Sequence, residues 1–200
     1  ERRVPLGTAI SWSRFADDDA LSALFVREFN SLTPENEMKM AFLQPRRGVA
    51  GLVDGGRMLE WAPRWARNLV CGFARLEGRA VGVIANQPKY LGGVLDADSG
   101  SKGARFVRTC NAFGLPLVVL VDTPGFMPGT KQEKGGVIRH GAKLVHAFAE
   151  ASVPKVTIVL RKAFGGAFIA MNSRDLGADY TFAWPQATLG VMGAKQAVGI

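Results

Sequence analysis

Apolar and polar positions follow two different periods along this chain. From residue 49 onward, short continuous apolar runs alternate with segments whose apolar residues recur every three or four positions. The runs at 70–73, 81–86, 115–121, 156–160 and 180–183 are short and rich in β-branched residues, so they read as strands. The first two form a hairpin joined through Glu77-Gly78-Arg79. Segment 100–113 places Ala104, Val107, Cys110 and Phe113 on one helical stripe, and 136–149 turns Val137, Leu144, Val145 and Phe148 inward. Continuous apolar strands alternating with amphipathic helices predict an α/β architecture of covered parallel strands. Asp54-Gly55-Gly56 reads as a turn.

Residues 1–48 follow a different pattern. Asp17-Asp18-Asp19 precede Leu21, Leu24, Phe25 and Phe29 at helical spacing. Thr33 offers an N-cap with Pro34 at the first helical position, and Met38, Phe42 and Leu43 would be the buried face. Pro45-Arg46-Arg47-Gly48 then breaks the pattern. The division predicted is a helical extension or connecting segment at 1–48, followed by one domain at 49–200. Residues 192–200 read as an unfinished helix, so the expectation is a fragment of a longer protein, cut within that domain.

Two segments carry candidate chemistry. Residues 155–171 read as a buried strand, a turn, and an apolar helix that starts at Gly165-Gly166. A helix leaves the N–H groups of its first turn without intrahelical partners, and bare glycines let a ligand approach them. Such a turn offers donors to an oxygen that gains negative charge during a reaction. The same glycines would also serve if helix and strand only needed to pack closely. The second segment, 122–130, holds Gly125 and Phe126 between two prolines and leaves the carboxyl end of another buried strand, where α/β sheets bind ligands. Phe126 would wall a pocket. If the two strands are neighbours, both loops open at the same sheet edge.

Composition narrows the field further. With 48% hydrophobic residues among 200, the chain can bury a sizeable core. Cys71 and Cys110 match neither a disulfide framework nor a zinc site and read as reduced core thiols. No apolar run reaches the length of a membrane span, and no signal peptide is visible, so a cytoplasmic location is expected. The net charge of +8 is uneven: residues 1–100 carry 13 Lys/Arg against 12 Asp/Glu, and residues 101–200 carry 12 against 5. A basic half favours an anionic partner, but scattered cations without a recognisable motif argue against nucleic acid. No metal is expected. Asp96, Asp98 and Gly100 lack the remaining calcium ligands and read as a helix start, and His140 and His146 fall on different faces of one helix. Ser99, Ser101 and Ser173 lie in no nucleophile-elbow pattern. The chain offers backbone donors and a shaped pocket, but no evident side-chain base.

Several segments together resemble the carboxyltransferase (beta) subunit of biotin-dependent acyl-CoA carboxylases of the acetyl-/propionyl-CoA type. They are Leu52-Val53-Asp54-Gly55-Gly56, Trp65-Ala66-Arg67-Asn68, Val83-Ile84-Ala85-Asn86-Gln87-Pro88, Lys102-Gly103-Ala104-Arg105-Phe106-Val107-Arg108, Asp122-Thr123-Pro124-Gly125-Phe126 and Arg161-Lys162-Ala163-Phe164-Gly165-Gly166-Ala167. The likeness runs from about Leu52 to Ile200. It implies a crotonase/ClpP-like ββα spiral, present here in one copy that is similar to the family's C-terminal, biotin-side copy. The implied reaction moves a carboxyl group from carboxybiotin, carried on a partner, to the α-carbon of an acyl-CoA. Because the cofactor supplies the base, the protein's share is oxyanion stabilisation. By match, the amides of Gly166 and Ala167 would hold the biotin ureido oxygen, with Gly125, Phe126 and Gly165 shaping the same site. Ile169 would tune acyl selectivity toward acetyl- and propionyl-CoA. The implied partners are a biotin carboxylase/biotin carboxyl carrier subunit and further copies of the chain, from dimer to hexamer, with no nucleic acid and no membrane. Two other readings stand beside this one: a biotin-dependent acyl-CoA decarboxylase subunit, and a non-catalytic scaffold of the same fold. The acyl-CoA copy is absent from these residues, so the segment alone is expected to be inactive.

Overall fold

The structure, a computed structural model, describes residues 53–193 and 198, and the backbone of 7–10 and 31–34. The chain divides into two compact units, Glu1–Gly56 and Arg57–Ile200. In the first, strands β1 (Gly7–Ile10) and β2 (Ser31–Pro34) pair in parallel. Thr33 and Pro34 therefore end a strand; they neither cap nor begin a helix. Proline is tolerated there as the last residue of a two-stranded pair. The stretch 17–29 and the face of Met38, Phe42 and Leu43 lie outside the described residues.

The second unit is built on a seven-stranded sheet. Its path is β3 (Met58–Trp61), β4 (Leu69–Leu76), β5 (Arg79–Asn86), β6 (Leu117–Thr123), β7 (Lys155–Phe164) and β8 (Tyr180–Ala183), with β9 (Thr188–Gly190) also pairing with β7. β3, β4 and β5 run antiparallel, and β5 through β8 run parallel. Glu77 (φ 50°) and Gly78 (φ 76°) both sit in the left-handed region, which suits the mirror-image turn that a two-residue hairpin needs. Helix α1 (Ala97–Ala112) links β5 to β6, and α2 (Thr130–Lys134) and α3 (Val137–Glu150) link β6 to β7. Hairpin plus α1 is one ββα unit.

α1 starts where Asp96 caps it. The Asp96 carboxylate accepts from the Ser99 amide at 2.9 Å and the Ser99 hydroxyl accepts from the Asp96 amide at 2.8 Å, a reciprocal capping box. The acidic cluster is thus a helix start, as read. Phe106 anchors the helix to the hairpin, with ring centroids 5.0 Å from Phe73 and 5.9 Å from Trp61; such aromatic pairs add about 0.5–1.5 kcal/mol each beyond burial. Ala104, Val107 and Cys110 are buried as the stripe predicts, but Phe113 is exposed. Strict steps of three residues fall short of a full turn, so Phe113 stands about half a turn round from Ala104, although its amide still donates to Thr109 O at 3.1 Å.

α1 and α3 cross on small residues. A Cβ on Gly100 would stand 2.8 Å from the His140 carbonyl oxygen, and one on Gly103 would stand 2.8 Å from Leu144 Cδ1. Val137, Leu144 and Phe148 are buried, while Val145 is only partly covered. β7 departs from its apolar run: Thr157 and Val159 are buried but Val156 and Ile158 are half-buried, so its faces are not equally covered. A short helix, α4 (Gly165–Ala170), follows β7 directly. Among the described residues, no helix is long and apolar enough to cross a membrane.

Candidate functional site

β6 and β7 are parallel neighbours, so the loop after β6 and the turn after β7 leave the same sheet edge. The sequence-predicted residues Gly125, Phe126, Gly165, Gly166 and Ala167 meet there. Main-chain bonds pin the chain on both sides of Phe126. Leu95 N donates to Gly125 O at 3.0 Å, and Met127 N donates to Leu95 O at 2.7 Å. Buried Asn86 ties the end of β6 to the segment after β5: its Oδ1 accepts from Asp122 N at 3.1 Å and its Nδ2 donates to Gly93 O at 3.3 Å. Gly125 (φ 138°) provides the backbone angle that turns the loop, and its amide donates to Thr123 Oγ1 at 3.3 Å.

The Phe126 ring lies between two glycines. A Cβ on Gly141 of α3 would stand 2.9 Å from ring atoms Cε1 and Cζ; one on Gly166 would stand 3.6 Å from Cε2. The ring also walls an apolar cleft of about 210 Å³ completed by Val137, Ile138, Gly141, Ala142 and Val145.

The two turn glycines do different jobs. Gly165 has φ 58°, in the left-handed region, and a Cβ there would come 3.2 Å from the Val191 carbonyl oxygen, so the backbone itself requires glycine. Gly166 has no such angle, and a Cβ would make only ordinary contact with Phe126. The fold's own backbone therefore explains Gly165 but not Gly166. Gly166 is exposed, and its amide belongs to the first turn of α4, where a helix provides no acceptor. Among the described residues, no turn, loop or cap hydrogen bond uses the Gly166 or Ala167 amide as donor. Ala167 differs in burial: it is a core residue with no exposed surface. The two amides are thus not equivalent, and only Gly166 presents its donor on an exposed residue. Ile169, on the same short helix, is half exposed.

Charge at this edge comes from a trio. The Asp122 side chain is 1% exposed and meets Arg161 Nη2 at 3.1 Å and Lys162 Nζ at 3.3 Å. Arg161 Nε also donates to Oδ1 at 3.3 Å, while Nη2 approaches Oδ2 off the hydrogen-bond axis. One buried carboxylate against two cations leaves a net positive edge just before the glycine turn, which favours an anionic ligand. The register supports this cluster. From Val121↔Val159 to Thr123↔Ala163, β6 advances two residues and β7 four, so Leu160, Arg161 and Lys162 stand against Asp122 alone on β6, and Lys162 pairs with Thr188 of β9 on the other side.

Other titratable groups serve structure. His140 Nδ1 is 2.6 Å from Ser101 Oγ and 3.5 Å from Lys143 Nζ, which ties α3 to α1. His146 stands apart on the same helix, 3.5 Å from Glu150. Cys71 and Cys110 are buried free thiols, pushed up to about 12 by burial. Lys102 was not singled out from the sequence for its burial. Its Nζ donates to the carbonyls of Trp65 (2.8 Å), Ala66 (3.4 Å) and Leu69 (2.7 Å), and desolvation lowers its pKa. Gly141 and Asn86 were also missed as site residues. A glycine inside an amphipathic helix was the only available signal for Gly141.

Comparison with known proteins adds the chain's kinship. The carboxyl transferase domain family matches residues 15–200. The chain is 48% identical over 186 residues to the methylmalonyl-CoA decarboxylase subunit alpha of Propionigenium modestum, covering 93% of this chain and 35% of that protein. It is 56% identical over 152 residues to the mitochondrial propionyl-CoA carboxylase beta chain of Homo sapiens, covering 76% of this chain and 28% of that one. A solved structure of transcarboxylase 12S, a hexamer with hydrolysed methylmalonyl-coenzyme A bound, superposes with a TM-score of 0.74 at 54% identity, covering 76% of this chain and 29% of that one. The chain spans about a third of the length of the relatives it matches.

Proposed function

Because the chain belongs to the carboxyl transferase domain family and has its crotonase-like α/β fold, we propose that it supplies the biotin side of a site that transfers a carboxyl group from carboxybiotin to the α-carbon of an acyl-CoA. Acetyl- and propionyl-CoA are the substrates proposed. The single observation that carries this reading is Gly166: bare, exposed, and required by nothing in the chain's own packing. The fit to a urea ring follows from that surface. An N–H donor stands beside the flat wall of Phe126, at an edge with surplus positive charge.

When bound, carboxybiotin would supply the transferable carboxyl group and, once that group has left, a nitrogen able to take the α-proton. The chain's own residues then have two tasks. The Gly166 amide holds the oxygen on which charge develops, a donor worth about 3–4 kcal/mol at the barrier. Phe126 and its pinned loop orient the ring and keep water from the cleft side. Because Ala167 is buried, a second bond to its amide requires the incoming oxygen to reach past the Gly166 surface.

The partners proposed are a biotinylated carrier with its carboxylase and further copies of this chain, the acyl-CoA side coming from a separate region. The reverse direction, decarboxylation, is the reading that the Propionigenium relative's name favours. A scaffold without catalysis has no use for an open Gly166. The test is binding of free biotin to the chain, followed by NMR or calorimetry. Gly166→Val should abolish it, and a chain that never binds biotin would defeat the proposal. On its own the chain should make no malonyl-CoA from acetyl-CoA and carboxybiotin; product from the isolated chain would overturn the division into two sides.

A further inference from the structure

We propose that Gly141 is a positioning residue: its bare Cα on α3 seats the Phe126 ring and so sets the width of the opening before the Gly166 amide. The inference rests on the biotin-side reading above and adds a residue that acts through another. The ring is held from three directions. Its main chain is pinned by Leu95 on both sides, through bonds of 3.0 and 2.7 Å. Its Cε1 and Cζ edge lies where a Gly141 Cβ would stand at 2.9 Å, and its Cε2 side faces Gly166 at 3.6 Å from the position of a Cβ.

α3 has little room to retreat from a larger residue at 141. Behind it, a Cβ on Gly100 of α1 would already stand 2.8 Å from the His140 carbonyl oxygen and 3.3 Å from Gly141 N, and Ser101 Oγ is 2.6 Å from His140 Nδ1. Helix, helix, ring and turn thus form one stack of close contacts. A methyl added at 141 must be absorbed by the Phe126 side chain, because both backbones are held. The ring can give toward Gly166, where contact is looser. The ring then narrows the space that the ligand needs. Nothing else at 141 requires glycine, since no left-handed angle occurs there.

The experiment compares Gly141→Ala, Phe126→Leu and the double variant with the native chain. Two readouts are taken: the amide signal of Gly166 in a nitrogen–proton correlation spectrum, and affinity for free biotin. Gly141→Ala should shift the Gly166 signal through the moved ring and weaken biotin binding by about tenfold or more, as displacements near 1 Å do at preorganised sites. In the Phe126→Leu background the same substitution should change neither readout, because the ring edge it strikes is gone. Equal effects in both backgrounds, or an unmoved Gly166 signal in Gly141→Ala, would overturn the proposal. If Gly141→Ala fails to fold, recovery of the fold in the double variant supports the clash, and failure of the double variant refutes it. A native chain that binds no biotin while Gly141→Ala still moves the Gly166 signal would sink the functional reading and leave the positioning role standing.

Discussion

Gly166→Ala should raise stability and lower ligand binding at once. Gly166 is not in the left-handed region, and the added Cβ would rest at 3.6 and 3.8 Å from Phe126 ring atoms, which is ordinary contact. The folded state accepts the methyl, and the unfolded chain loses freedom, a gain of about 0.5–1 kcal/mol. Thermal unfolding should therefore shift upward by about 1–4 °C for a unit of this size. The same methyl stands in the gap between ring and amide. If a urea oxygen uses that gap, binding of free biotin falls by about tenfold, roughly 1.4 kcal/mol. Gly165→Ala is the control of opposite sign. With φ 58° and the Val191 carbonyl oxygen 3.2 Å from the new Cβ, it should lose about 1–2 kcal/mol to backbone strain. Calorimetric melting and biotin titration on the two variants check both signs. A Gly166→Ala chain that is more stable and binds biotin like the native chain would show that the open amide is not a ligand site.

Three further outcomes follow from the same geometry. Lys102→Met removes the donor shared by the carbonyls of Trp65, Ala66 and Leu69; it should cost about 3 kcal/mol in urea unfolding, and a loss under about 1 kcal/mol would mean that water replaces the ammonium. Burial, with help from Lys143 and Arg139 and against Asp98, lowers the His140 pKa below 6.5. The unfolded chain then binds that proton first on acidification, so stability is full above pH 6.5 and falls as pH drops toward the folded-state pKa; His140→Gln should flatten that part of the acid slope, and identical slopes would refute the assignment. Ile169, half exposed beside the turn, is proposed to set acyl preference; in an active assembly Ile169→Asp should change the ratio of kcat/KM for propionyl- over acetyl-CoA, and an unchanged ratio would clear it of that role.

What could be read from the sequence depended on how local its cause was. The hairpin was legible because Glu77-Gly78 sits between two apolar runs, and Asp96 was legible as a helix start because its partner, Ser99, is three residues away. The convergence of Gly125–Phe126 with Gly165–Gly166 was legible as a condition, and the parallel pairing of β6 with β7 met it. The Thr33-Pro34 helix start failed because cap-plus-proline is a weak local signal that strand pairing with 7–10 overrode. Phe113 failed because a spacing of three residues drifts around a helix of 3.6 residues per turn, and by the fourth member the stripe has left the buried face.

The site's supporting residues were illegible for a different reason: each owes its role to partners far along the chain. Asn86 reaches Asp122 across 36 positions, Arg161 reaches Asp122 across 39, and Gly141 matters only because Phe126 lies on it. Composition and periodicity carry no record of such pairings. The same argument divides the two turn glycines, which are indistinguishable as letters. Gly165 is explained by an angle and a carbonyl oxygen within the fold, and Gly166 by neither. A residue whose identity the folded chain does not itself require leaves room for a reason outside it. That is why the functional reading rests on position 166 and not on the pair.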